Sequence, residues 1–426
     1  MKVEISVGGQ NQVLDFTGMN YRGLLQPKEP ETSENLADMI EQALNTPIKT
    51  RPLRELAKPG QKVVIIATDI TREFREDLLL PALAKELNAA GVKDEQITIL
   101  VATGTHRPNN EEECRKMFGE EVMRRFRVVN HDAYDEEMLV KLGSTSHGFP
   151  ITVNKIVAEA DLKIATGCIE PHLFAGYSGG VKSVSVGVAG EETIAATHNA
   201  QILDDPRTRL GVIEGNIFRQ FLEEAAAIVG LDFVLNVVLS PEKKIWKIVA
   251  GDPVQAHARG VEYARRLYEV EVDGTADIIV AVPGYPKDRD LYQATRAANS
   301  IVFGPRPFIK EGGVIIIPAL CQDGVGHRGY LEWMSDVSSP EEALEKFYRV
   351  GCRPGEHKVF VMARIAKRAE VIVAGSSISE KILRQLLITP ADHIEDALEK
   401  ALRRLGPGAS IWVMPRATVT IPVVKE

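Results

Sequence analysis

The sequence predicts an α/β protein of two domains, each a mostly parallel sheet flanked by helices. Three observations lead there. The chain has 426 residues, enough for two or three ordinary domains. Short β-branched runs alternate with stretches of helical periodicity, the pattern of βα units around a parallel sheet. That alternation stops and restarts near residues 271–275, at Gly274. The expected division is therefore residues 1–272 and 273–426.

The first residues, MKVEISVGGQNQVLDF, alternate as a strand does and lack the apolar core of a signal peptide. Residues 33–46 form a helix pattern with Leu36, Met39, Ile40, Ala43 and Leu44 on one face. Buried strands follow at 63–67, 97–102, 162–165 and 233–239, with a further helix at 81–90. After Gly274 the strands resume at 277–282, 313–318, 370–374 and 410–414. Ser339 caps a helix, with Pro340 in the first position and Glu342 in the third. Thr389-Pro390 opens another, with Ile394, Ala397, Leu398, Ala401 and Leu402 on one face and Gly406 as its stop. The sequence contains no short internal repeat and no low-complexity tract.

Composition narrows the function. Hydrophobic residues make 44% and charged residues 26%, which suits a soluble globular protein. Lys and Arg number 51 against 59 acids, a net charge of −8, and no basic block interleaved with aromatics occurs. A nucleic-acid partner is therefore not expected. No apolar run is long enough to cross a bilayer, so the expected location is cytoplasmic. Cys114, Cys168, Cys321 and Cys352 are scattered without a CxxC pair, which gives no support to a zinc cage or dithiol centre. Cys168 reads as a small buried residue in preference to a nucleophile.

The chemistry concentrates in residues 167–199, GCIEPHLFAGYSGGVKSVSVGVAGEETIAATHN. Lys182 is the lone charged residue between Glu170 and Glu191 there. A lysine in such a loop serves phosphate binding, covalent attachment or base chemistry. His172 and His198 add groups that move protons or bind metals near neutral pH. Ligands in open α/β sheets collect beyond the carboxyl ends of strands. Strand 63–67 leads to Thr68-Asp69-Ile70-Thr71-Arg72, and strand 97–102 to Thr103-Gly104-Thr105-His106-Arg107-Pro108. Strand 162–165 leads to Thr166-Gly167-Cys168 and then Glu170-Pro171-His172. Each cluster alone also suits a structural role: a Thr-Asp is a common N-cap, His106 suits a turn, and His198 suits a helix end favoured by the dipole. Their joint placement on one rim favours a site. Gly179-Gly180 would let backbone N–H groups approach an anion. The segment is not a P-loop, because Val181 separates Gly180 from Lys182. Neither a GxGxxG after a strand nor an HExxH is present. Tyr292-Gln293-Ala294-Thr295-Arg296, in the second half, is by itself a helix surface.

Together these residues resemble the nickel-pincer lactate racemase family. The matching motifs are Asp69-x-Thr71-Arg72, Gly104-Thr105-His106-Arg107-Pro108, Glu170-Pro171-His172, Gly179-Gly180-Val181-Lys182 and Thr197-His198-Asn199. They stand in family order at close to family spacing, and the similarity extends over nearly the whole chain. The resemblance implies a two-domain α/β protein with its active site in the interdomain cleft. It implies a racemase or epimerase of a 2-hydroxy acid that works by hydride transfer. The implied cofactor is nickel in pyridinium-3,5-bisthiocarboxylic acid mononucleotide, the nickel-pincer nucleotide, joined covalently to Lys182. Asp69, Gly179 and Gly180 fall in its binding segments, and His198 matches nickel's fourth ligand. His106 and His172 match the acid/base pair, Arg72 an arginine that orients substrate, and Gln293 a site glutamine. Cofactor-maturation enzymes are implied partners.

The implied chemistry is sound. Near-square-planar nickel suits a flat pincer plus one imidazole. The Cα proton beside a carboxylate is very weakly acidic, so moving hydride through a planar 2-keto acid is easier. Two bases on opposite sides serve a two-faced reaction, and an arginine fork can hold the carboxylate while the rest turns. Arg296 departs from the lysine of lactate-specific members, and the two side chains are not equivalent at an anion site. The expected substrate is therefore a 2-hydroxy acid or sugar acid, not lactate specifically. Two other readings stand beside this one. A nicotinamide-dependent 2-hydroxy acid dehydrogenase lacks its glycine fingerprint here. A non-enzymatic protein binding an anion or sugar phosphate would carry no nickel and no adduct on Lys182.

Overall fold

The run VVIIAT forms strand Val63–Thr68, buried along almost its whole length, as a strand covered by helices on both faces must be. In this computed structural model the described residues are 1–30, 35–72, 74–351 and 355–425; Ser33, the expected start of the first helix, and Cys352 lie outside them. The strand belongs to a compact unit made of Glu29–His198 and Ile213–Leu267. Its sheet has the order Ile245–Gly251, Phe233–Leu239, Leu162–Ile169, Val63–Thr68, Ile97–Ala102, Arg127–Asn130. All neighbours are parallel except the edge strand Ile245–Gly251. From Val63–Thr68 the chain builds outward on one side, then returns to build outward on the other from Leu162–Ile169. The crevice beyond the carboxyl ends of these two strands is the topological switch point, where α/β sheets bind ligands. Beneath it, Ile65, Ile99, Ile164 and Leu235 pack with Leu79, Leu83 and Leu87 of helix Glu76–Ala89, all without exposed surface.

Two expectations need adjustment here. Helix Glu76–Ala89 starts well before Pro81, because Glu76 and Asp77 supply a favourable acidic first turn. Pro81 forfeits one helical hydrogen bond without ending the helix. Strand Leu162–Ile169 continues past residue 165, since Thr166, Gly167 and Cys168 stay paired with Leu235, Asn236 and Val237.

The second unit comprises Met1–Lys28, Asn199–Val212 and Tyr268–Glu426. Its sheet is parallel throughout, in the order Thr389–Ala391, Ala369–Ala374, Ile309–Pro318, Ala276–Ala281, Ser410–Met414, Asn20–Leu24. Met1–Lys28 and Asn199–Val212 thus fold with the residues after Leu267. The alternation in KVEISV gives Lys2–Val7 one apolar face, and Val3, Ile5 and Val7 join the core of Ile278, Val280, Ile316 and Ile411. Asn20–Leu24 then completes the sheet edge beside Ser410–Met414.

Ser339 caps helix Pro340–Val350 as expected. Thr389-Pro390 does not open a helix. Thr389–Ala391 is the opposite edge strand, a place that tolerates proline, and helix Ile394–Leu405 is capped by His393. Among the described residues no helix is long and apolar enough to cross a membrane.

The placement of the N-terminal segment has a measurable consequence. Phe16 is 1% exposed and stacked on Tyr21 with ring centroids 4.8 Å apart. Phe16→Ala should cost about 3–5 kcal/mol in chemical denaturation. Hydrogen exchange should lose protection first in Ala276–Ala281 and Ser410–Met414, with Val63–Thr68 unaffected. Loss beginning in Val63–Thr68 would contradict the assignment of this segment.

Candidate active site

Strand Val63–Thr68 ends at Asp69, followed by the tight turn Ile70–Arg72. Asp69 is 3% exposed. Its Oδ1 accepts from Thr71 Oγ1 at 2.6 Å, and its Oδ2 lies 2.6 Å from His106 Nδ1. His106 comes from the loop after the neighbouring strand Ile97–Ala102. Burial by itself would raise the Asp69 carboxyl, but the hydrogen bonds from His106 and Thr71 outweigh it and hold it below the ordinary value. A carboxylate only accepts, so the His106 proton sits on Nδ1 and Nε2 keeps the lone pair. Asp69, expected at the cofactor, is here engaged in orienting His106.

His172 has the opposite arrangement. It lies in a short hairpin, Pro171–His172 against Gly176–Tyr177. Its Nδ1 accepts from the backbone N–H of Phe174 at 3.3 Å and of Ala175 at 3.1 Å. The neutral ring therefore carries its proton on Nε2. His106 offers a lone pair where His172 offers an N–H. Phe218 stands between His172 and His198, with centroids 6.2 and 5.7 Å from the two rings.

The loop from Phe174 to Gly180 is held by four buried polar residues. Asn216 Nδ2 donates to Phe174 O at 2.7 Å. The Arg219 guanidinium donates to Ala175 O and Tyr177 O. His257 Nε2 meets Ser178 O at 2.9 Å, and Asn236 Oδ1 accepts from Gly180 N at 2.6 Å. Gly179 and Gly180 have φ of 77° and 59°, and a Cβ on Gly180 would stand 2.8 Å from the His257 ring. Close approach is thus what the glycine pair permits. The Gly180 N–H, expected to face an anion, is committed to Asn236. These four residues escaped sequence reasoning. Their signal was a polar residue inside an apolar run, such as Asn236 in FVLNVVL.

Beyond the loop, Lys182 is half-buried. Burial first, then the charge of Arg72, push its amine down to about 8, against the pull of Asp69. Burial pushes His198 down to about 4, and Lys182 adds to the effect. His198 Nδ1 faces Thr197 Oγ1 at 2.7 Å and Ile194 O at 3.0 Å. Its proton therefore sits on Nδ1, the orientation that a metal-binding Nε2 requires. Among the described residues no three His, Cys, Asp or Glu side chains gather as a metal cage. Cys168 is buried and its thiol is pushed up to about 12.

Glu76 was also missed. It is wholly buried, and its Oε1 accepts from Thr68 N at 3.0 Å and Thr166 Oγ1 at 2.7 Å. It thereby ties together the two strands that border the switch point. Its Oε2 has no partner among the described residues, and burial raises the carboxyl to about 7.

The structure thus gathers Asp69, Arg72, His106, Lys182 and His198 by contact or mutual electrostatic influence, with His172 beside Phe218. Gln293 and Arg296 belong to the other unit, where Arg296 Nη1 donates to Gln293 Oε1 at 3.0 Å.

Residues 8–211 match the lactate racemase N-terminal domain, and residues 272–422 match the lactate racemase C-terminal domain. A lactate racemase of Thermoanaerobacterium thermosaccharolyticum is 32% identical over 418 residues, 97% of each chain. The chain belongs to the lactate racemase family. A lactate racemase of Lactiplantibacillus plantarum is 34% identical over 401 residues, 93% of each chain. The structure of the lactate racemase apoprotein from T. thermosaccharolyticum superposes with a TM-score of 0.89 over 100% of both chains, at 32% identity. A crystal structure from Thermotoga maritima, at 21% identity and a TM-score of 0.70 over 93% of this chain and 100% of that one, shares the fold. This lactate racemase family member is an isomerase of the racemase type.

Glu76 yields a pH prediction. Its carboxyl rises from an ordinary 4.5 to about 7 on folding, so the folded state keeps an extra proton between those values. Its contribution to stability is full below pH 4.5 and is lost as pH rises through 7. The loss is on the order of 3 kcal/mol. Urea denaturation of wild type and Glu76→Gln at pH 5 and pH 8 should show wild type losing this amount relative to the variant. Parallel pH profiles would refute it.

Proposed function

We propose that this enzyme racemises or epimerises a 2-hydroxy acid by moving the Cα hydrogen as hydride, with a nickel-pincer nucleotide carried on Lys182. The relatives named lactate racemase make lactate the simplest member of the substrate class, and Arg296 leaves room for larger ones. The observation that carries the reading is the pairing of Lys182 and His198. One is an amine lowered to about 8, and the other is a neutral imidazole with Nδ1 committed to Ile194 O.

These residues fit the group. An amine near 8 keeps roughly a tenth of its population deprotonated at pH 7, far more than an unshifted lysine, and the free amine is the form that covalent attachment requires. His198 Nε2 would supply one nitrogen to nickel, and a metal at His198 would draw its remaining ligands from the pincer, since among the described residues no cage of side chains surrounds it. When bound, the group supplies a reversible acceptor for the substrate's Cα hydride.

The chain's own residues handle protons and position. Arg72 grips the carboxylate bidentately. His106 Nε2 takes the hydroxyl proton of one enantiomer, and Asp69 stabilises the imidazolium that forms. His172 presents Nε2–H to the oxygen from its own side and donates on the return step. For the opposite enantiomer the two histidines exchange roles. Gly179 and Gly180 set the loop before Lys182, and Gln293 and Arg296 select the substrate. Maturation enzymes supply the cofactor, which is foreign to this chain's own chemistry.

Peptide mapping of active enzyme should find a nicotinate-derived adduct on Lys182, and Lys182→Arg should lose both adduct and activity. Active enzyme with an unmodified Lys182 would overturn the reading. His198→Ala should lose bound nickel with an unchanged melting temperature. His106→Ala and His172→Ala should each lower turnover by about 10²–10⁴-fold. Racemisation in D₂O should leave Cα free of deuterium, and wash-in at the racemisation rate would establish proton abstraction instead.

A further inference from the structure

Asn216 does more than its place at a helix start requires. It caps helix Ile217–Val229, with Oδ1 accepting from Arg219 N at 3.1 Å, and it has no exposed surface. Ser and Asp cap a helix as well as Asn does. Of these, Asn alone carries an acceptor and an NH₂ donor on separate atoms. Here both are used, because Nδ2 donates to Phe174 O at 2.7 Å. The side-chain amide cannot be turned over: Oδ1 faces an N–H that only donates, and Nδ2 faces a carbonyl that only accepts.

Phe174 O and Ala175 N are the two ends of one planar peptide group. The Ala175 N–H donates to His172 Nδ1 at 3.1 Å. A continuous chain of bonds therefore runs from Asn216 Nδ2–H through the Phe174–Ala175 peptide to the imidazole. A carbonyl that accepts a hydrogen bond makes the N–H of its own peptide a stronger donor, by about 10–30% per bond. The other amide on His172 Nδ1, that of Phe174, belongs to the preceding peptide and is longer at 3.3 Å. The same helix turn also limits the ring sideways. Phe218, two residues after Asn216 and without exposed surface, lies 6.2 Å from the His172 ring and 6.0 Å from that of Phe174. Beyond the peptide, Arg219 holds Ala175 O and Tyr177 O, so the hairpin cannot carry the Ala175 amide away.

We propose that Asn216 is a positioning residue for the reaction: through the Phe174–Ala175 peptide it keeps His172 Nδ1 as an acceptor and so assigns proton exchange with the substrate to Nε2. The catalytic consequence rests on the racemase reading, in which His172 is one of the acid/base pair. The relay itself does not.

The test is nuclear magnetic resonance of the full-length ¹⁵N-labelled chain, with His172 assigned by its loss in His172→Gln. In wild type at pH 8, His172 Nδ1 should carry no proton and the Ala175 amide should be protected from exchange. Asn216→Ser keeps a capping oxygen, but that single polar atom is taken by the cap. In this variant the Ala175 amide should exchange about threefold to tenfold faster, the loss of one modest hydrogen bond. The His172 Nδ1 resonance should move toward that of an imidazole accepting no bond, while Phe221 and Leu222 amides keep their protection. A role limited to capping would instead change the helix amides and leave Nδ1 unmoved. A proton on His172 Nδ1 in wild type, or an Asn216→Ser spectrum equal to wild type at Ala175 and His172, would overturn the proposal; the first measurement needs no variant to fold. In the loaded enzyme, Asn216→Ser should lower kcat about tenfold and leave KM nearly unchanged. A shifted Nδ1 with full turnover would remove His172 from the reaction and leave the relay standing. Loss of the relay would leave the adduct on Lys182 untouched.

Discussion

A buried guanidinium that bonds to backbone carbonyls holds the rest of the site in place. Arg219 is 2% exposed, its donors go to Ala175 O and Tyr177 O, and Nη1 has no partner among the described residues. Such a charge is costly unless its surroundings are fixed around it. Here they are fixed on every side. Asn216 takes the carbonyl before, His257 the carbonyl after, and Asn236 the amide of Gly180. The amides of Phe174 and Ala175, whose carbonyls are held in this way, are the ones that orient the His172 ring. Lys182 follows two residues beyond the last anchor. The position of one acid/base candidate and of the attachment candidate therefore traces back to one helix, Ile217–Val229, and its inward-facing arginine.

The two histidines are prepared by different means for complementary states. A carboxylate holds the proton on the near nitrogen of His106, and backbone amides hold it on the far nitrogen of His172. No difference in exposure or sequence context is needed, only a donor in one case and an acceptor in the other. Glu76 spans the strands from which Asp69 and His172 emerge, through Thr68 and Thr166. Its loose oxygen and raised affinity for a proton show that the switch point is polar below as well as above.

The strands were legible in the sequence because a parallel sheet covered on both faces demands unbroken β-branched runs, and VVIIAT and FVLNVVL have few other uses. The rim was legible because Asp69, His106 and His172 follow neighbouring strands. The supporting residues were not. Glu76, Arg219 and His257 sit in helices, where one polar residue per turn ordinarily marks the solvent face, and periodicity cannot tell a surface arginine from a buried one. Thr389-Pro390 misled for a related reason: proline suits a helix start and a sheet edge equally, and only the partner strand Ala369–Ala374 decides between them. The glycine pair was seen, but its purpose was not, because the His257 ring that excludes a side chain at Gly180 lies far along the chain.

The interleaving of the two units bears on how the chain is made. The Asn20 side chain bonds to Gly408 O, 388 residues downstream. At about 5–20 residues per second, ~20–80 s of synthesis separate strand Asn20–Leu24 from its sheet partner. The unit built on Val63–Thr68 can close during that interval. Val3, Ile5 and Val7 meanwhile have no core to enter, since Ile278, Val280 and Ile411 do not yet exist. A segment made long before its partners is thus among the last to be buried, and a chaperone acting on the nascent chain would find its apolar face open throughout.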